Sequence, residues 1–308
     1  MKYGVENIGR KYCPSNTRHK VLGQISNIKL HKNNMGMKSS SMSKETEIKR
    51  IVSQVVDEWS FDFKARHIAE HQDPEGAINM KIHNIFIKAL GPELQYYTAL
   101  VRSLDSSLGN MLEKMAIEIA KLSYEVSQEV AGPLGESQTS EIAKLLEAYK
   151  SRSNRSPKEA DYQFLRAGRP AGATTKRHDS DYYLKDRETG ISYLIELKIG
   201  GDLDNKKARS EKEALLEQFA ILSNKVDDPN ARILIRFATA YNRFGEDKPW
   251  QQGRVRQFFA EEELLIGKDF WNFVCKSDKG YQLVTSSYEN KADVIREALD
   301  AIRKKYIG

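Results

Sequence analysis

The chain has 308 residues, 40% of them hydrophobic and 30% charged, with a formal net charge of +6. That length supports one large core or two modest domains. No apolar run approaches the roughly 20 residues of a membrane span, the N-terminus lacks a hydrophobic signal core, and the two cysteines (Cys13 and Cys275) and six scattered histidines suit a reducing cytoplasm and give no zinc spacing.

The positive charge is concentrated at the start. Residues 1–41 hold eight Lys/Arg against Glu6 alone, so the rest of the chain is close to neutral. This leader (1–42) reads as a poorly ordered extension, or as sequence upstream of a start at Met35, Met37 or Met42. The competing reading is an arm that contacts phosphates. From Ser43 the pattern turns helical: Ile48, Ile51, Val52, Val55, Val56 and Trp59 recur at three and four. The run Asp73-Pro74-Glu75-Gly76 breaks the chain, and a second apolar segment occupies 78–90 before Gly91-Pro92. A long helical stretch then carries Leu104, Leu108, Met111, Leu112, Met115, Ile119, Leu122 and Val126 on one face. Residues 43–135 therefore read as a helical subdomain, and 136–308 as a second domain.

After the Ala131-Gly132-Pro133 break, Thr139 or Ser140 is expected to cap a short helix bearing Ile142, Leu145, Leu146 and Tyr149. Its Glu141 and Glu147 are candidate extra acids, with exposed helix charge as the plainer reading. Residues 150–178 are basic, with Arg166 and Arg169 among the groups that could meet phosphates. Next comes the stretch HDSDYYLKDRETGISYLIELKIGGDLDNKK, residues 178–207. It reads as a β-hairpin, with Tyr182-Tyr183-Leu184 extended, residues 186–190 as the turn, and 191–199 as the second strand. Side chains two apart share a strand face, so Glu196 and Lys198 point one way while Ile195, Leu197 and Ile199 point the other. Charges on an inner strand are costly unless paired or bound to something. Across the turn, Asp179 or Asp181 can bring a second carboxylate beside Glu196, Asp181 being the better placed. Two carboxylates beside a lysine can hold a hard divalent cation and orient water. The competing reading is a cross-strand ion pair.

Gly200-Gly201 lets the chain turn, and Asp204-Asn205 caps a helix with Lys206, Lys207, Arg209 and Lys212 near its start. Cations there oppose the helix dipole, which suggests an anionic partner. Residues 233–241 form the next strand. Residues 241–256 then bring Arg243, Gln251, Gln252 and Arg254 together, side chains that can read base edges.

Asp181, Glu196 and Lys198 match the pattern of the PD-(D/E)XK nucleases, with Ser180 where that pattern has Pro. The string IELKIGGDLDNKKA and the helix after it resemble type II restriction endonucleases, and TdeIII-like enzymes in particular. The resemblance spans about residues 160–275. It implies an α/β, restriction-endonuclease-like core of a mixed β-sheet flanked by helices, beside the N-terminal helical subdomain. It implies Mg2+ held by Asp181, Glu196 and the Leu197 carbonyl, with Lys198 orienting water. The expected substrate is double-stranded DNA cut at a short GC-rich palindrome such as GGNCC, by a cytoplasmic homodimer with a cognate DNA methyltransferase in the same system. A structure-specific or repair nuclease, and a non-catalytic DNA-binding protein, are the alternatives.

Overall fold

The computed structural model describes residues 43–151, 156–166, 173–226, 228 and 230–308, without the side chains of residues 179–181. The leader and Arg169 lie outside the described residues. Helix α1 (Lys44–Ala69) starts where Ser43 Oγ accepts from Thr46 N, with Glu45 and Glu47 in its first turn. It buries Ile48, Ile51, Val52, Val55 and Val56. The apolar segment after the break gives only a 3-10 turn and the short α2 (Ile85–Lys88), and leaves Ile82, Ile85, Phe86 and Leu90 exposed. Helix α3 (Pro92–Ala120) opens on Pro92, whose missing N–H costs nothing in a first turn.

The helical stripe does not run on to Val126. α3 ends at Ala120, and Tyr124–Leu134 is strand β1 on the edge of the sheet. Edge position is also what lets Pro133 sit in a strand. Because β1 runs to Leu134, helix α4 (Glu136–Lys150) begins at Gly135, whose N–H donates to Gln138 Oε1 at 3.1 Å. Thr139 and Ser140, expected as caps, lie inside the helix.

Strands β2 (Thr174–Asp186) and β3 (Ser192–Lys198) make the expected hairpin. Helix α5 (Asn205–Lys225), strand β4 (Ile233–Thr239), the short α6 (Gly253–Arg256) and strand β5 (Leu264–Ile266) follow. The chain ends with α7 (Lys268–Cys275), α8 (Gly280–Glu289) and α9 (Ala292–Tyr306). Among the described residues the sheet has five strands in the order β1-β2-β3-β4-β5. β1, β2 and β3 pair antiparallel, while β3, β4 and β5 are parallel. Alternation along β3 divides the core between the two faces. Leu194 packs with Leu215, Phe219 and Phe237 beneath α5, and Ile195 packs with Val52, Met115 and Phe270 on the other face. The fold is the mixed α/β sheet flanked by helices that the sequence suggests.

Two charged groups tighten this frame. In the hairpin turn, Asp186 Oδ1 accepts from Glu188 N and Thr189 N at 2.8 and 3.1 Å, and Lys276 pairs with Oδ2 at 2.9 Å. Burial pushes this carboxyl up, but Lys276 and the turn N–H groups outweigh it and hold it below its ordinary value. Its stabilisation is therefore full above the unfolded pKa of about 3.9 and is lost as pH falls through the lower folded value. Urea titrations from about pH 5 to about pH 2 are expected to show a steeper loss of stability for wild type than for Asp186→Asn.

The second group is Lys212, which the sequence placed with the DNA-facing cations of α5. Instead it is wholly buried, with Nζ 2.5 Å from Glu263 Oε1 and 4.9 Å from the ring centres of Tyr162 and Phe259. Glu263 also accepts from Tyr162 Oη at 2.9 Å and from Ala260 N at 2.7 Å. Burial pushes the Lys212 ammonium down, against the pull of Glu263. The pair ties α5 to the segment that leads into β5.

Candidate active site

Glu196 and Lys198 stand at the carboxyl end of β3, next to the carboxyl end of its parallel neighbour β4, where Lys198 pairs with Thr239. Such ends are where α/β sheets place their ligands. Both side chains lie on the face covered by α5. Glu196 is buried at 9% relative exposure, and its Oε1 accepts from Lys198 Nζ. Lys198 also reaches Glu211 Oε1, on α5, at 3.2 Å. The ammonium thus sits between two carboxylates from different elements.

The backbone register brings Asp181 to the same place. Tyr182 pairs with Ile195, so one further step along each strand reaches Asp181 and Glu196. On the opposite edge of β2, Ser127 pairs with Tyr183 but Glu129 pairs with Asp179. β2 therefore carries extra residues around Asp181, a bulge of the kind found beside active sites. The Asp181 and Asp179 side chains lie outside the described residues.

Glu211 is the acid that the sequence reading missed. It lies one helical turn before Leu215, on the sheet-facing side of α5, so the signal was an acid at the head of an apolar stripe. Glu141 and Glu147, the candidate acids on α4, pair with cations away from Lys198. Glu141 meets Lys144 at 2.6 Å, and Glu147 meets Arg209 at 3.1 Å.

Just past the site, Gly201 has φ 67°, and a Cβ there would lie 2.6 Å from Thr239 Cγ2. At Gly200 the added atom would lie 2.6 Å from Tyr241 Oη. These close approaches, rather than looseness, explain the Gly-Gly break. They also bring the 241–256 loop alongside. Arg243 pairs with Asp202 at 2.6 Å, and Gln252 Nε2 donates to the same residue at 3.2 Å. Gln251, Arg254, Lys206 and Lys207 are exposed. Arg166 does not join them. Its guanidinium donates to Ala231 O at 2.6 Å, before the start of β4, and stacks over Phe219 at 5.4 Å. That guanidinium packs at the other end of the strand, away from Glu196 and Lys198.

A mixed sheet with an acid-Leu-Lys triplet ending a central strand, and the next helix folded back over it, is the restriction-endonuclease-like arrangement. The chain matches the family model described as Type II restriction endonuclease, HinfI, over residues 42–292, and it belongs to that family. It is accordingly a type II site-specific deoxyribonuclease, and its substrate is DNA. The match names HinfI where the resemblance named TdeIII-like enzymes, and it takes in α1 and α3 as well as the core. No curated protein and no solved structure matches the chain. Among the described residues, no helix is long and apolar enough to cross a membrane.

Proposed function

We propose that the chain makes Mg2+-dependent double-strand cuts at a short palindrome, with Asp181, Glu196 and Lys198 as its catalytic residues. The observation that supports this is the Lys198 ammonium held between Glu196 and Glu211 at the carboxyl end of β3, one register step from Asp181. Carboxylate and carbonyl oxygens are the donors a hard cation takes, so the residues fit Mg2+ in kind. Among the described residues no three His, Cys, Asp or Glu side chains form a metal-holding group. In this proposal the ligand set is Glu196, Asp181 and the Leu197 carbonyl.

A bound divalent cation supplies Lewis acidity toward the phosphate and acidifies the attacking water. The protein's share is placement. Lys198 has three N–H donors and no acceptor, so it can hold a water oxygen and a phosphate oxygen together once Glu196 turns to the metal. Glu211 then keeps the ammonium in position from α5. On the same reading, Arg243, Gln251, Gln252 and Arg254 meet base edges, while Lys206 and Lys207 meet phosphates. One such site per chain cuts one strand, so a symmetric homodimer supplies the second cut. A cognate methyltransferase that protects host DNA completes the system.

Incubating the purified chain with phage DNA and Mg2+ tests this reading. Discrete fragments that disappear with EDTA support it, and sequencing their ends checks the GGNCC-like site that the TdeIII-like resemblance implied. Absence of cutting with Mg2+ refutes it, as does cutting that is indifferent to EDTA. Glu211→Gln is expected to lower kcat about 10-fold or more with KM nearly unchanged, the usual scale for a group that orients a catalytic one. Recovery of kcat in Glu211→Asp, with Tm unchanged in both variants, separates this positioning role from a structural one.

A further inference from the structure

A second feature of the surface belongs to neither the catalytic strand nor the 241–256 loop. A groove of about 540 Å³ runs between α1, the segment before α2, and α3. Its walls carry Arg66, Lys81 and Arg102 together with Ser103, Ser106 and Asn110, and no carboxylate. Arg66 is partly committed, donating to Ser103 Oγ at 2.9 Å and lying 4.0 Å from Glu70. The side chains of Lys81 and Arg102 make no hydrogen bond or ion pair with any described residue. An adjoining hollow shares Arg66 and Asn110 and adds one acid, Asp62, with Lys114.

Arg102, Ser103, Ser106 and Asn110 recur at three and four, so they share one face of α3. From Arg102 to Asn110 the helix rises roughly 12 Å. Arg102, Ser106 and Asn110 are exposed, so the groove is open along its length. Such a groove suits a polymer lying across it better than an enclosed small molecule. Guanidinium, ammonium, hydroxyl and amide groups are those that contact DNA phosphates. The stripe also ends near the carboxyl end of β3, on the sheet face opposite Glu196 and Lys198. A Cβ on Gly109 would touch Ile199 Cδ1 at 3.0 Å, and Ile199 directly follows Lys198.

We propose that this groove receives the phosphate backbone of the duplex flanking the cut, which makes α3 part of the DNA-binding surface. The inference rests on the reading of β3 as the cutting strand. Its test is the salt dependence of binding, measured in EDTA by fluorescence anisotropy with the full chain and a labelled duplex of about three helical turns. Each phosphate contact contributes about 0.9 to the slope of log K against log salt. Arg102→Ala and Lys81→Ala are each expected to reduce the slope by about that amount, and Arg102→Lys to restore it. Unchanged slopes overturn the proposal, as does an equal loss in Arg296→Ala, which removes an exposed cation from α9. Protection of wild type by inorganic pyrophosphate in a thermal melt, absent in the double variant while DNA slopes stay unchanged, would assign the groove to a free phosphate compound and also overturn it. A phage-DNA digest run alongside reads cutting itself, so failure of the nuclease reading and failure of the groove are told apart.

Discussion

Lys198→Ala and Glu196→Ala are each expected to lower the single-turnover cutting rate by at least about 10²–10³-fold, the scale for losing one electrostatic contact made in a transition state. The loss should fall on the rate and much less on DNA affinity, because the exposed cations of α5 and the 241–256 loop are untouched. Lys198 is at 30% side-chain exposure and Glu196 at 11%, and neither is a large apolar group whose removal would empty the core. Removing the lysine has a second consequence. It leaves Glu196 and Glu211 facing each other without the ammonium that now separates them. Lys198→Ala should therefore bind a divalent cation at least as readily as wild type while failing to cut, whereas Glu196→Ala should lose both. A filter-binding assay beside the single-turnover digest checks this split. Unaltered cutting by either variant would remove that residue from the mechanism.

Lys212→Ala is expected to cost about 3–5 kcal/mol of stability, the range for breaking a buried ion pair and leaving one charge alone. The case rests on how completely the pair is enclosed: both side chains are at 1% exposure. Glu263 would keep the Tyr162 hydroxyl and the Ala260 N–H but lose its only buried cation among the described residues. Lys212 also directly follows Glu211, so loosening it frees the turn of α5 that carries the second carboxylate to Lys198. Urea denaturation should show a lower midpoint for Lys212→Ala. Lys212→Met with Glu263→Gln, which removes both charges together, should recover much of the loss. A single variant as stable as wild type would show that the pair contributes nothing net.

The hairpin and its acid-Leu-Lys triplet were legible because strand alternation and turn chemistry act over a few residues. Asp186, Gly190 and the apolar partners of Glu196 all state their role locally. The helical faces of α1 and α5 were legible for the same reason. β1 was not. Val126 fits the three-and-four spacing that precedes it, and only pairing with β2, far along the chain, makes that segment a strand. Lys212 looked like one more exposed cation at a helix start, because Glu263, the partner that buries it, lies 51 residues away. The partners of Glu211 and Arg166 were hidden for the same reason. A charge on a helix or in a loop shows its purpose only when tertiary packing supplies Lys198 to one and the Ala231 carbonyl to the other.

On the proposed mechanism, the carboxyl end of β3 and the bulge of β2 share a metal ion. Crystals of the chain soaked in Mn2+ and measured at an anomalous wavelength test it most directly. The expected result is an anomalous peak within ligand distance of the Glu196 and Asp181 carboxylates, lost in Glu196→Ala. A peak bound only elsewhere, or Asp181 directed away from Glu196 in the metal-loaded crystal, would contradict it.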